Sequence, residues 1–383
     1  MRSSGALPGG AAAPHRSSSI RLAPRPYGPL GVSCPLALMV AAVVGAVSPV
    51  AQSAVTVHQD GALQAVAPAV HARLAGQERA QGLLFQALTD RNGRMAERAV
   101  RQRMTRLLSD AAPGTGPDAD VARGLDALGP AAAQLMRGAF AFEREVLAIH
   151  ASRPPADRRA ALEDAVRRYQ AGPGPVIGDA AKDMSILYDH PYTSFVPPVP
   201  PEAEPHRELA YPTLTAALWA ARWYGLAVLT PFEDFPAGAE RDRALAVVEG
   251  RLRAKLAIAA PTEAPPSELP LTPAIAPGLV ATHERAAAII DNLHMMLDVL
   301  ADVLVHPKVT NRRAAVATVV EQFSTRQYRC VQVDEWIVVA LRHSIFAQGG
   351  PALAAMSARE RNAFSGVHGQ HYGPRRPPPP CDP

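Results

Sequence analysis

From about residue 69 to residue 347 the apolar residues return every three to four positions. Ala and Leu are the repeated filler, and alternating β-branched runs are few. That period puts one face of a helix inside; a strand would need every second residue. The spacing therefore predicts an all-α protein, built as one or more multi-helix bundles. Proline makes up 38 of the 383 residues, about twice its usual share of roughly 5%. Because proline lacks an N–H and crowds the preceding turn, it divides helices and does not sit inside them. The punctuation predicts helices over 69–88, 94–109, 131–150 and 155–170, with a further one capped by Asp118 or Asp120 and ended at Gly129-Pro130. A short helix is expected over 180–189, then longer ones at 212–229, 239–259, 278–306, 310–323 and 326–347, and a last short one at 351–363.

Between these lie long Pro-rich connections. Pro191 to Pro212 holds seven prolines and reads as an extended crossing. The expected organisation is a leader over 1–53, helical regions over 54–190 and 212–364 on either side of the 191–211 crossing, and a tail over 365–383. The tail ends PRRPPPPCDP and has too little apolar surface to order itself. A single α-domain wrapped by the crossing is a second possibility.

The leader reading rests on charge and length. No acidic residue precedes Asp60, whereas Arg2, Arg16, Arg21 and Arg25 lie upstream of the apolar run Leu36–Val47. Twelve apolar residues suit a signal-peptide core and fall short of the ~20 a spanning helix needs. Small residues after Pro49 place cleavage near Ser53 or Ala54, so the expected compartment is the periplasm or the exterior. Removing the leader leaves 35 of the 39 basic residues against 35 acidic ones. The basic balance of the full chain then belongs to the leader and points to no anionic partner. Nucleic-acid binding is not expected: only Lys182, Lys255 and Lys308 are lysines, and aromatics do not interleave with Arg. No membrane span is expected in the mature chain. In an oxidising space Cys330 and Cys381 could pair; two free thiols are the alternative.

The most informative segment is 281–306, ATHERAAAIIDNLHMMLDVLADVLVH. At 100° per residue, Glu284, Asp291, His294, Asp298 and Asp302 fall within about 80° of one another, with His306 beside them. Carboxylates so aligned repel unless something positive faces them. Three sources are open: solvent and counter-ions; the Arg face formed by Arg91, Arg94, Arg98 and Arg101; or a divalent transition metal bound by Glu284, Asp291, His294, Asp298 and Asp302. Asp291-x-x-His294 resembles the acid-x-x-His pair of the ferritin-like di-iron carboxylate proteins, which carry it on two helices of a bundle. No other His has an acid three positions earlier, so the chain shows half of that pattern and is not assigned to that family.

Other groupings are weaker. Met295-Met296 beside His294 suits Cu(I) but also core filling. His368-x-x-His371 could hold a metal loosely, Tyr188-Asp189-His190 gathers titratable groups near a helix end, and Trp219, Trp223 and Tyr224 form a packing face. G-x-S-x-G, H-E-x-x-H, P-loop and CxxC motifs are absent. The sequence thus predicts an exported helical protein that acts as a binding or accessory protein, possible protein partners included. A helical-bundle metal protein is the alternative, and whether the chain is an enzyme stays open.

Overall fold

The computed structural model describes residues 61–89, 93–109, 119–184, 186–189, 212–259, 270–306 and 308–347. These are 81% helical and form no sheet, so the fold is all-α. In chain order the helices are α1 (Pro68–Thr89), α2 (Gly93–Ser109), α3 (Ala119–Asp126), α4 (Pro130–Ser152), α5 (Pro155–Gln170), α6 (Ile186–Asp189) and α7 (Pro212–Ala227). They continue with α8 (Leu229–Asp234), α9 (Ala239–Ala259), α10 (Thr272–Ile275), α11 (Pro277–Thr282), α12 (Glu284–Val305), α13 (Arg312–Ser324) and α14 (Val333–Ala347). The 191–211 crossing, the 365–383 tail and the expected 351–363 helix lie outside the described residues, as do His190, His368, His371 and Cys381.

Local chemistry explains most boundaries. Pro130 occupies the first turn of α4, where its missing N–H costs nothing, after Gly129 at φ 95°. Asn311 caps α13, its Oδ1 accepting from Ala314 N at 3.1 Å. Two expected helices are shorter than their periodicity suggests. Only Ile186–Asp189 of 180–189 is helical, and the last long helix begins at Val333, not 326. The reason is a clasp between two irregular segments. Asp183 N donates to Arg329 O at 2.6 Å and Val331 N to Ala181 O at 2.9 Å, with Arg329 at φ 44°. The buried Lys182 Nζ donates to Thr325 O and Tyr328 O at 2.8 and 2.9 Å, under the Phe323 and Tyr328 rings. Burial pushes this amine down to about 8. Cys330, in the same clasp, is disulfide-bonded.

The expected 278–306 helix is broken at His283, whose backbone is extended (φ −159°). His283 Nδ1 accepts from Ala286 N at 3.2 Å and so caps α12; its Nε2 lies 2.8 Å from Glu163 Oε2 on α5. The break lets α10 and α11 fold back over α12.

One hydrophobic cluster includes residues on both sides of the 191–211 crossing. Its axis is α12, in which every residue from Ala286 to Leu304 is buried. Helices α1, α4, α5, α10, α11 and α13 pack around it. A helix buried all round has no solvent face, so the stripe that sequence spacing left open to water lies inside the bundle.

Candidate functional site

Each polar residue of α12 meets its own partners. Asp291 takes three donors: Thr272 N at 2.8 Å, Thr272 Oγ1 at 2.5 Å and Trp336 Nε1 at 3.0 Å. It thereby ties α10 and α14 to the axis. Burial pushes its carboxyl up to about 6, even though these hydrogen bonds and His294 favour the charged form. Two turns on, Asp298 Oδ2 accepts from Trp219 Nε1 at 3.0 Å and Oδ1 from Arg222 Nη1 at 2.8 Å, both on α7. Arg222 also donates to His294 O at 3.0 Å and to Gln81 Oε1 on α1 at 3.3 Å. Burial holds Asp298 above the usual carboxylate range, with the Arg222 guanidinium the strongest opposing influence. Asp302 is also fully buried. Glu284 stands apart, exposed in the first turn of α12, and His306 is half-buried at the other end, its Nδ1 accepting from Lys308 N.

The stripe is therefore several sites in a row, and its counter-charge is internal. The guanidinium on Asp298 belongs to Arg222, not to the Arg face of α2. Of that face, Arg91 and the side chains of Arg94 and Arg98 lie outside the described residues, and Arg101 is half-buried. Buried on all sides, the stripe is no docking surface for a partner protein. Nor do Glu284, Asp291, His294, Asp298 and Asp302 converge: no group of three His, Cys, Asp or Glu side chains placed to hold a metal occurs among the described residues. Met295 and Met296 are core filling, and Trp219 adds a hydrogen bond to the packing role its spacing implied.

His294 behaves differently from its neighbours. Its ring points at α4, where Nε2 lies 3.5 Å from Glu143 Oε1; the two side chains are 2% and 7% exposed. Neither ring nitrogen nor that carboxylate oxygen has a hydrogen-bond partner. Gln77 Oε1 and Gln81 Nε2, one turn apart on α1, are also buried and unpaired. Gly225 of α7 leaves room here, since a Cβ on it would stand 3.1 Å from Glu143 Oε1 and 3.4 Å from Leu74 Cδ2. Three helices, α1, α4 and α12, thus carry unmet polar atoms in this part of the core. Each such atom costs about 1–3 kcal/mol unless something completes it.

Two other polar groupings flank the bundle. His150 sits two turns beyond Glu143 on α4, its Nδ1 3.3 Å from Glu233 Oε1 on α8. Burial, then Arg158, pushes His150 down to about 4, and burial pushes Glu233 up to about 7. Arg158 donates to Phe232 O at 2.7 Å and so holds α5 against α8. Nearer the surface, Asp179 takes Arg285 and Arg326, and Glu163 takes His283 and Arg285. Hydrogen bonding to His283 is the main reason that Glu163 sits below its usual range.

Sequence reading missed Arg222, Gln81 and Thr272 as members of the central site. Arg222 did leave a signal, as the one charged residue between Leu214 and Leu229. Glu143 stood out in the sequence only as a possible added metal ligand, together with Glu145 and His150, because α4 carries several charges and only the fold shows which of them turns inward. No protein-family model, curated protein or solved structure matches the chain.

Proposed function

We propose that the chain is an exported helical protein of the bacterial cell envelope that works by binding a small ligand within its bundle. The observation that carries the binding role is the unmet His294–Glu143 pair, backed by Gln77 and Gln81. Folding alone gives no reason to keep it. Apolar residues of the same volume would fill this space at no cost in stability and often at a gain. A ligand supplying donors and acceptors turns that deficit into affinity, because the groups are already desolvated and held by three helices.

Export is supported by the acid-free, Arg-bearing leader with its apolar run at 36–47. The described helices fit that reading, since none is long and apolar enough to cross a membrane. Expression of the full chain in a Gram-negative host, fractionation and intact-mass measurement test it. The mature protein is expected in the periplasmic fraction, beginning near Ser53 or Ala54; a cytoplasmic protein retaining residues 1–53 refutes export. For binding, native and denaturing masses of the same preparation are compared. A retained small molecule that is absent from Glu143→Gln supports the reading, and equal masses for both proteins under both conditions count against it.

A further inference from the structure

We infer that the ligand of this site is a single divalent first-row transition ion, held between α4 and α12 by Glu143 and His294; this rests on the binding reading above. The donor atoms come first. An imidazole nitrogen and a carboxylate oxygen both bind zinc-like ions at about 2.0–2.2 Å, and two such ligands on a tetrahedral centre stand about 3.4 Å apart. Glu143 Oε1 and His294 Nε2 are 3.5 Å apart. The separation is long for a hydrogen bond, and no hydrogen bond joins the pair. It is the edge of a metal tetrahedron.

Charge comes second. Glu143, Asp291, Asp298 and Asp302 are all buried around this segment of α12. The guanidinium of Arg222 is already committed to Asp298, and the Glu143 oxygen that faces His294 has no hydrogen-bond partner. Buried charges are paired or coordinate metals, and a carboxylate oxygen left without a partner can be completed by a cation. The ion would supply both the missing charge and a partner for each lone pair.

Space and remaining ligands come third. Gly225 lets α7 pass close to the Glu143 carboxylate, where a Cβ would stand 3.1 Å from Oε1. Leu74, at i−3 from Gln77 and i−7 from Gln81, shares their face of α1 and meets that same glycine. On this face Gln77 Oε1, a neutral oxygen donor, is buried and unpaired. The protein thus offers one nitrogen and one charged oxygen at ligand spacing, with Gln77 a candidate for an amide oxygen and the other positions left for water. This is not the five-residue set that helical spacing suggested, and it shares only His294 with it.

The test uses the full chain, exported and purified, stripped with EDTA and titrated with Zn2+ and with Co2+ as a spectroscopic stand-in. One ion per chain is expected, with the visible absorption of tetrahedral cobalt and a higher melting temperature for the loaded protein. Glu143→Gln and His294→Gln should each lose at least ten-fold in affinity and the cobalt bands, while Glu284→Gln binds as the parent does. No saturable uptake by the parent overturns the inference. So does uptake that survives in both variants, which would place the ion elsewhere, such as at His368 and His371. Glu143→Gln preserves side-chain size and decides the matter if His294→Gln does not fold. A retained organic molecule that depends on Glu143, without metal uptake, sinks the ion but leaves the binding reading standing; neither metal nor molecule sinks both.

Discussion

Replacing Arg222 by Met keeps the length of an apolar side chain on α7 and removes the guanidinium from Asp298, His294 O and Gln81. Asp298 is then a wholly buried carboxylate with Trp219 as its one remaining donor among these contacts. Removing one member of a buried pair costs about 3–5 kcal/mol, because the surviving charge loses its compensation. Asp298→Leu should cost a similar amount by stranding Arg222. The double variant carries neither charge. Its expected penalty is about 1–3 kcal/mol, chiefly the orphaned Trp219 N–H, and so falls below the sum of the single variants by about 3 kcal/mol or more. Urea unfolding followed by tryptophan fluorescence measures each corner, since Trp219, Trp223 and Trp336 are all buried. A penalty under about 1 kcal/mol for Arg222→Met would refute the view that this pair anchors α7 to α12. Strictly additive penalties would refute the pairing itself.

Two further perturbations follow from the flanking contacts. His150, pushed down from 6.5 to about 4, binds fewer protons folded than unfolded, so its contribution is present above pH 6.5 and lost as pH falls towards 4, about 3 kcal/mol in all. Glu233, pushed up from 4.5 to about 7, has the opposite sign and loses stability as pH rises between those values. The two slopes cancel between about pH 4.5 and 6.5 in the parent, so Glu233→Gln should make stability rise with pH there and His150→Gln should make it fall; equal slopes in both variants contradict the assignment. At α3, a Cβ on Gly124 would run into the Gly82 backbone of α1, whereas one on Gly250 in α9 meets nothing. Gly124→Ala should therefore destabilise by about 1–3 kcal/mol and Gly250→Ala stabilise by about 0.5–1 kcal/mol, both read from urea midpoints; a gain at Gly124 would show that the helices do not cross there.

Most of the architecture was legible because helix periodicity and proline are local signals. The limits of α4, α5 and α9 fall within two residues of those read from Pro130, Pro154-Pro155 and the 239–259 pattern. Failures came where a distant partner competes with the local period. Residues 325–332 keep apolar spacing, but Lys182 and the backbone of 181–183 hold them in a non-helical clasp. His283 carries no helix-breaking chemistry of its own; Glu163 and the cap on Ala286 N make the break worthwhile. The polar stripe was read as a set of residues sharing a face, and of the counter-charges left open for it, solvent falls away from Asp291 to Asp302 because the helix is buried there. Spacing reports which residues share a face and not what covers it.

What covers it also separates structural polarity from functional polarity. Asp291 and Asp298 each receive donors on both carboxylate oxygens: Thr272 N reaches Oδ2 at 3.1 Å and Thr272 Oγ1 reaches Oδ1 on the first, while Trp219 and Arg222 divide the second. Such closed networks fix which helices meet α12 and in what register, and they ask for nothing further. His294 lies between them on the same face and is the member left without a hydrogen bond, opposite a carboxylate oxygen in the same condition. If the stripe existed only to set register, His294 would be the easiest position to make apolar, and α12 already fills its other faces with Leu, Ile, Val and Met. Its place beside Glu143 therefore marks a point on the axis where the bundle leaves its polar groups unfinished, as His150 and Glu233 do on its flank.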